Sequence, residues 1–96
     1  MPKGASTRKT LVLRLYVAGR APNSMMAIAN AKEMCDAHFP AAYTLEIVDL
    51  LAEPQRAVDD GIIVTPTLLK VAPPPRQRLI GNLSDTARLL LTLGRA

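Results

Sequence analysis

Cysteine and histidine are almost absent from this sequence, and their scarcity excludes several classes of protein. Cys35 is the only cysteine among 96 residues, so no internal disulfide can form and a disulfide-stapled secreted fold is excluded. His38 is the only histidine, which leaves no basis for a metal cluster built from the usual imidazole and thiolate ligands. We therefore expect neither a metal nor an organic cofactor.

Aromatic residues and long apolar runs are also scarce. The chain has two tyrosines, one phenylalanine and no tryptophan, and its basic residues are not interleaved with aromatic ones, so we expect no nucleic-acid partner. No stretch approaches the roughly 20 apolar residues of a membrane span, and no signal-type apolar core follows the basic N-terminus. We expect a cytoplasmic protein without a membrane partner. The formal net charge of +4 permits a partner with an acidic surface.

The composition, 49% apolar and 21% charged, is typical of a globular chain of one domain. Residues 1–9 are polar and basic, and we expect them to form a flexible N-terminus. Residues 10–94 carry all the patterned segments and are predicted to form a single domain.

The first half of the chain predicts a parallel βαβ unit. Residues 10–17 are nearly continuous β-formers, typical of a strand buried on both faces, and residues 43–51 alternate as a second strand. Between them Pro22 favours a helix start, with Asn23 or Ser24 as its cap, and the helix ends before Pro40. Its predicted apolar stripe comprises Met25, Ile28, Cys35 and Phe39.

The second half predicts αββα less decisively. A short helix begins at Pro54 and ends near Gly61, an apolar strand follows Pro66, an edge strand lies within residues 76–83, and a last helix, capped by Ser84 with Asp85, ends near Gly94. Leu and Ala dominate residues 67–93 and form helices as readily as strands. The whole order, βαβαββα, matches α/β thioredoxin-like folds.

The turn at residues 20–23 lacks the chemistry of a thioredoxin. A reductase needs a thiolate at a helix N-terminus and a second thiol to resolve the mixed disulfide, but this turn reads Arg-Ala-Pro-Asn. Cys35 lies mid-helix as a small buried hydrophobe, and the adjacent Asp59 and Asp60 are interpreted as a solvated helix end rather than an acid/base pair. We therefore predict a protein that is not an enzyme.

Two proline motifs stand out in the second half. Pro66, between two threonines before an apolar strand, is either a trans proline at a strand start or the cis proline that faces the strand-to-helix turn in thioredoxin-like folds. Pro73, Pro74 and Pro75 form a stiff connector; a cluster of X–Pro bonds could also gate a slow conformational exchange.

Three segments together resemble the KaiB family of circadian clock proteins: LRLYVAGRAPNS, VDLLAEPQRA and VTPTLLKVAPPPRQRLIGNLSD. The resemblance covers roughly residues 10–92. It implies a metamorphic protein with two folds that share the N-terminal βαβ half. One is a thioredoxin-like βαβαββα fold that binds the KaiC ATPase ring; the other is a βαββααβ ground-state fold that forms tetramers.

The resemblance also implies sites and partners. Pro66, Pro73, Pro74 and Pro75 lie in the segment implied to refold. The implied partner-binding residues are Arg20, Gln55, Arg56, Asp59, Lys70, Arg76 and Arg78. The implied partners are a KaiC-type hexameric ATPase and further copies of the chain, as a dimer or tetramer, with KaiA or a SasA-like kinase pathway as further candidates.

Two other functions remain open at this point. The chain could be a sensor module like that of the SasA kinase, permanently thioredoxin-like, although 96 residues hold no kinase region. It could also be a thiol oxidoreductase, although the sequence offers no residues for that chemistry. The leading hypothesis is a non-enzymatic regulator that modulates the ATPase and phosphorylation cycle of KaiC.

Overall fold

A computed structural model of the protein describes residues 10–94. Its seven elements follow the predicted order βαβαββα and are β1 (Leu11–Val17), α1 (Pro22–His38), β2 (Tyr43–Asp49), α2 (Pro54–Asp59), β3 (Thr67–Ala72), β4 (Gln77–Ile80) and α3 (Thr86–Leu93). The predicted flexible N-terminus, residues 1–9, lies outside the described residues. No helix within residues 10–94 combines the length and apolarity needed to cross a membrane.

The four strands form one mixed sheet in the order β2-β1-β3-β4. β1 pairs with β2 in parallel and with β3 antiparallel, and β4 is antiparallel to β3 at the edge. The predicted central position of β1 is confirmed, since it has a neighbour on both sides. Its apolar run suits such a position, because a central strand covered on both faces has little contact with water.

The main core lies between one face of the sheet and helices α1 and α3. Leu13 and Leu15 of β1 point into it and are almost fully buried, together with Leu68 of β3 and Leu89 of α3. A smaller apolar cluster on the opposite face joins Tyr16 and Val48 to Ala57 of α2. The sheet is thus covered by two helices on one side and by one short helix on the other.

Helix α1 corrects two expectations from the sequence. The predicted stripe was partly wrong: Met25 is exposed and Ile28 half-buried, and the buried side chains are Ser24, Ala27, Ala31, Met34 and Cys35. Small residues let the helix approach the sheet closely, and a search for large apolar side chains overlooks them. Neither Asn23 nor Ser24 is the cap, since Ala21 holds that position and Ser24 Oγ instead accepts a 3.2 Å hydrogen bond from the Ala18 amide.

The structure contains each of the four elements predicted for the second half of the chain, in the predicted order α2, β3, β4 and α3. The cap of α3 is Asp85, whose Oδ1 accepts a 3.1 Å hydrogen bond from the Arg88 amide, and Gly94 follows its last turn. The Thr65–Pro66 peptide bond is cis, as are Ala72–Pro73 and Pro74–Pro75. The indecisive propensities of residues 67–93 are therefore resolved here by pairing within the sheet and by packing of α3.

We expect Leu15→Ala to destabilise the fold by about 2–5 kcal/mol, because it leaves a cavity in the core between β1 and the two helices. Leu91→Ala, the same change at an α3 position that is 72% exposed, should cost less than about 0.5 kcal/mol. Urea unfolding followed by circular dichroism measures both. Equal losses in the two variants would contradict this assignment of the core.

Candidate functional site

The most connected polar side chains surround Asp60, at the C-terminal end of α2. Asp60 Oδ2 accepts hydrogen bonds of 2.7 Å from Arg14 Nη1 and 2.5 Å from the Tyr16 hydroxyl. Arg76 Nη2 lies 3.8 Å from Asp60 Oδ1, and only 14% of the Asp60 side chain is exposed. These four residues are called the Asp60 cluster below. They hold a carboxylate between the central strand, α2 and the segment before β4.

The alternation of side chains along β1 places two members of the cluster. Leu13 and Leu15 point into the main core, so Arg14 and Tyr16 point to the opposite face, beneath α2. Tyr16 is fully buried, and its hydroxyl also lies 3.0 Å from the carbonyl oxygen of Arg56. The hydroxyl therefore has acceptors for its proton on two residues of the α2 segment.

The environment of the cluster sets its charges. Burial would raise the pKa of the Asp60 carboxyl, but hydrogen bonds from Tyr16 and Arg14 and the charges of Arg14 and Arg76 outweigh burial, so this pKa is lowered. The hydrogen bond to Asp60 raises the pKa of Arg14, and burial raises the pKa of Tyr16. At neutral pH the cluster is a carboxylate between cationic guanidinium groups and a neutral phenol.

A second carboxylate extends this network towards the edge of the sheet. Both oxygens of Glu46 on β2 accept hydrogen bonds from Arg56, at 2.5 and 2.8 Å, and Arg14 Nε lies 3.2 Å from Oε1. These hydrogen bonds with Arg56 are the main cause of the lowered pKa of Glu46. Arg14 thus bridges two carboxylates, one on α2 and one on β2. The outer pair of Glu46 and Arg56 is half exposed, so water and salt screen it and it contributes little to stability.

Arg78 of β4 holds the same end of α2 from the other side. Its guanidinium donates to the carbonyl oxygens of Gly61 and Asp60, at 2.9 and 3.0 Å. Carbonyls after the last turn of a helix lack intrahelical donors, so this fork satisfies two groups that would otherwise need water. A pocket of about 390 Å³ lies beside the fork, lined by Asp59, Asp60, Leu69, Arg76, Gln77 and Arg78.

Exposed apolar side chains lie next to these charges. Val58 on α2 and Ile63 in the following segment are 69% and 93% exposed. We define the α2 face as Gln55, Val58, Asp59, Ile63 and Arg76, all of which are exposed. Large apolar groups surrounded by charged ones are typical of protein–protein contact surfaces.

The turn that carries the thiols in a thioredoxin has none here. Pro22 is the first residue of α1 and Arg20 is exposed in the turn before it. Cys35 is fully buried near the other end of α1, where burial and the nearby charge of Asp36 raise its thiol pKa to about 11. Within residues 10–94, no group of three or more His, Cys, Asp or Glu side chains is placed to hold a metal ion.

Comparison of this chain with known protein families identifies the family to which it belongs. The model of the KaiB domain family matches residues 14–95. The chain belongs to the KaiB family. It is 49% identical over 88 residues to the circadian clock oscillator protein KaiB of Prochlorococcus marinus strain MIT 9211, covering 92% of this chain and 77% of that protein. The KaiB of Synechococcus sp. strain RCC307 is 48% identical, with 92% and 80% covered.

Solved structures support the thioredoxin-like fold. The solution structure of the N-terminal domain of Synechococcus elongatus SasA matches with a TM-score of 0.76 and 28% identity, covering 97% of this chain and 90% of that one. Oxidised mitochondrial thioredoxin 3 of Saccharomyces cerevisiae matches with a TM-score of 0.72 and 13% identity, covering 88% and 77%. The thioredoxin match shows a shared fold alone.

Most of the residues predicted to bind a partner lie near α2 in this KaiB chain. Gln55 and Asp59 are exposed on α2 and hydrogen-bonded at 2.9 Å, and Arg56 is engaged with Glu46. Arg76 and Arg78 line the pocket with Asp59, and Arg20 is exposed in the separate turn before α1.

Lys70 does not join this group. It is only 6% exposed and pairs with Leu13 on the side of the sheet that α1 and α3 cover, whereas its neighbour Leu69 pairs with Arg78 on the α2 side. Adjacent residues of a strand point to opposite faces, so in this fold Lys70 is absent from the surface that carries Arg76 and Arg78.

The sequence did not reveal the Asp60 cluster. Asp60 was interpreted as part of a solvated helix end, which is wrong because its carboxylate is buried against Arg14 and Tyr16. One signal was available: Arg14 is the only charge in an otherwise apolar central strand, and such a charge needs a partner. The identity of that partner, 46 positions away, could not be deduced from local pattern.

The lowered pKa of Asp60 predicts a pH-dependent role for Tyr16. A carboxylate with a lowered pKa stabilises the fold above its unfolded pKa of about 4, and this contribution is lost as the pH falls through the folded value. Tyr16→Phe removes one donor to that carboxylate and should therefore cost more at pH 7 than at pH 3, by no more than about 1 kcal/mol. Urea unfolding of both proteins at the two pH values measures the difference, and an equal cost at both would contradict it.

The raised pKa of Cys35 predicts an unreactive thiol. Near pH 7.5 the buried group is almost entirely protonated, so the native protein should react with Ellman's reagent at least about a hundredfold more slowly than the protein in 6 M guanidinium chloride. The absorbance of the released thionitrobenzoate gives both rates. A native thiol that reacts as fast as the denatured one would overturn the assignment of Cys35 as a buried core residue.

Proposed function

We propose that this protein is a non-enzymatic clock regulator that binds a KaiC-type hexameric ATPase and modulates its ATPase and phosphorylation cycle. The observation that carries the proposal is the 49% identity to a circadian clock oscillator protein over 92% of the chain. In addition to this likeness, the residues that the structure describes favour a binding role over catalysis. The turn before α1 has no thiol, and the only cysteine is buried with a raised pKa.

The α2 face is the docking surface that we propose for the ATPase. Its apolar members, Val58 and Ile63, are exposed and can be buried by a partner without any rearrangement of the core. Arg76 is 58% exposed beside a pocket and can pair with an acidic group of that partner. Arg20, in the turn before α1, extends this surface in the proposal.

Binding is proposed to be coupled to a change of fold. The thioredoxin-like fold described here is the binding-competent form, and in the free protein it is a minor population beside a self-associated βαββααβ form. The apparent affinity is then lowered by the competent fraction, and the ATPase draws the equilibrium across. Pro66, Pro73, Pro74 and Pro75 lie in the half that rearranges. KaiA and a SasA-like kinase pathway are candidate further partners.

A permanently thioredoxin-like binding module is the second candidate. The match to the SasA N-terminal domain, with a TM-score of 0.76, favours it. The two candidates differ in solution behaviour. A switching protein should give two sets of amide NMR signals whose ratio changes with protein concentration, because one form self-associates, whereas a permanent module should give one set at every concentration.

We expect Ile63→Asp to weaken binding to a KaiC-type ATPase by tenfold or more, because it places a charge at the centre of the proposed apolar contact. Ile63 is 93% exposed, so the substitution should leave the fold intact. The measurement is size-exclusion chromatography of purified protein mixed with KaiC and ATP, sampled over hours because the competent form is scarce.

Leu91→Asp is the matched control, since it makes the same change of charge at an exposed α3 position outside the α2 face. It should bind as the unmodified protein does. Loss of binding in both variants, or in neither, would contradict the α2 face as the docking surface. Absence of any complex with the unmodified protein after hours would contradict the proposed function itself.

A further inference from the structure

The Asp60 cluster joins parts of the chain that are far apart in sequence. Arg14 and Tyr16 lie 46 and 44 positions before Asp60, in the strand at the centre of the sheet. Arg78 reaches back 18 positions to the Asp60 carbonyl, and Arg76 approaches its carboxylate. Asp60 is therefore the residue at which the βαβ half, α2 and the edge strand β4 are all connected.

Helix α2 needs these connections to keep its position. It has six residues, too few for an isolated helix to be stable in water, and Ala57 is its only buried side chain. A single alanine removes little apolar surface from water. The hydrogen bonds of Tyr16, Arg14 and Arg78 to Asp60 and its neighbours, together with those between Arg56 and Glu46, therefore account for much of what holds the α2 segment on the sheet.

We infer that Asp60 is a positioning residue that selects the thioredoxin-like arrangement of the C-terminal half and thereby sets the fraction of the protein able to dock through the α2 face. The inference rests on the proposed function, because it assigns a residue to the proposed change of fold. Asp60 acts on docking indirectly, since its carboxylate faces Arg14 and Tyr16 and only 14% of its side chain is exposed.

The preference for the thioredoxin-like arrangement follows from the burial of the Asp60 cluster. Removing one partner from a buried charged group is strongly destabilising, because the remaining charge is left without compensation. Asp60→Asn would leave Arg14 without its closest carboxylate and the Tyr16 hydroxyl with a weaker acceptor. Any arrangement in which residue 60 and Arg14 are separated and solvated would be almost unaffected. If the alternative arrangement separates residue 60 from Arg14, the substitution penalises only the thioredoxin-like arrangement and shifts the population towards the other.

Asp59→Asn is a matched control at the adjacent position. The side chain of Asp59 is exposed, and its Oδ1 accepts a hydrogen bond of 2.9 Å from Gln55 on the same helix. The two variants carry the same change of charge and of atoms in neighbouring positions. A difference between them reports the contacts of Asp60 rather than net charge or helix propensity.

The first experiment compares amide NMR spectra of the full chain and the two variants at matched concentrations. We expect Asp60→Asn to lower the ratio of thioredoxin-like to alternative signals by about tenfold or more, while Asp59→Asn changes it less than twofold. Tyr16→Phe should shift the ratio in the same direction by less. Spectra in which Asp60→Asn leaves this ratio unchanged, or in which both variants shift alike, would overturn the inference.

The second experiment separates selection of the fold from contact with the partner. Binding of the unmodified protein and of Asp60→Asn to immobilised KaiC with ATP is followed by surface plasmon resonance. Selection predicts that Asp60→Asn lowers the apparent affinity in proportion to its competent fraction, with an unchanged dissociation rate. A faster dissociation rate would show direct contact with the ATPase and overturn the positioning role. An unchanged apparent affinity would also overturn that role.

The two experiments keep this inference separate from the proposed function. The NMR comparison needs no ATPase, so it tests Asp60 even if the unmodified protein binds no KaiC. Conversely, a protein that binds KaiC while Asp60→Asn behaves as Asp59→Asn does in the NMR comparison would retain its proposed function and lose the role assigned to Asp60.

Discussion

The contact between the Asp60 carboxylate and the side chains of Arg14 and Tyr16 is the constraint on which the α2 side of this fold depends. It places a charge pair beneath a helix of six residues, on a sheet face whose apolar cluster is small. Burial of an ion pair yields little net stability, because the attraction is offset by loss of hydration. What the pair supplies is a strong penalty for any packing that separates its members.

That constraint explains how a thioredoxin-like scaffold can serve for binding. The sheet with α1 and α3 forms the conventional core, and the chemistry at the start of α1 is missing, since the turn there has no thiol and Cys35 is buried. The surface that remains available is the opposite side, where α2 presents exposed apolar and charged groups. A fold does not carry a function by itself, and here the docking surface that we propose lies on the helix that the Asp60 cluster positions.

Much of the architecture could be predicted from sequence, because its signals are local. The apolar run of β1, Pro22 at the start of α1, Asp85 before α3 and the βαβαββα order all depend on neighbouring residues. The stripe of α1 was misassigned at Met25 because close packing on the sheet selects small side chains. The likeness behind the partner-binding prediction for Lys70 carries no information on which face of a strand is buried, and in this fold Lys70 lies on the side covered by α1 and α3.

The Asp60 cluster was missed for a deeper reason, and that reason bears on how the chain could hold two folds. Leu is the most frequent residue in 67–93, and apolar burial, which has no direction, can be satisfied by more than one arrangement. A hydrogen-bonded charge pair has direction and fixed partners, so it distinguishes between packings that bury similar apolar area. Those partners lie in different halves of the chain, and local pattern cannot show such a pairing. In the proposed change of fold, long-range polar contacts of this kind would decide which fold is populated, because the C-terminal half has weak local preferences.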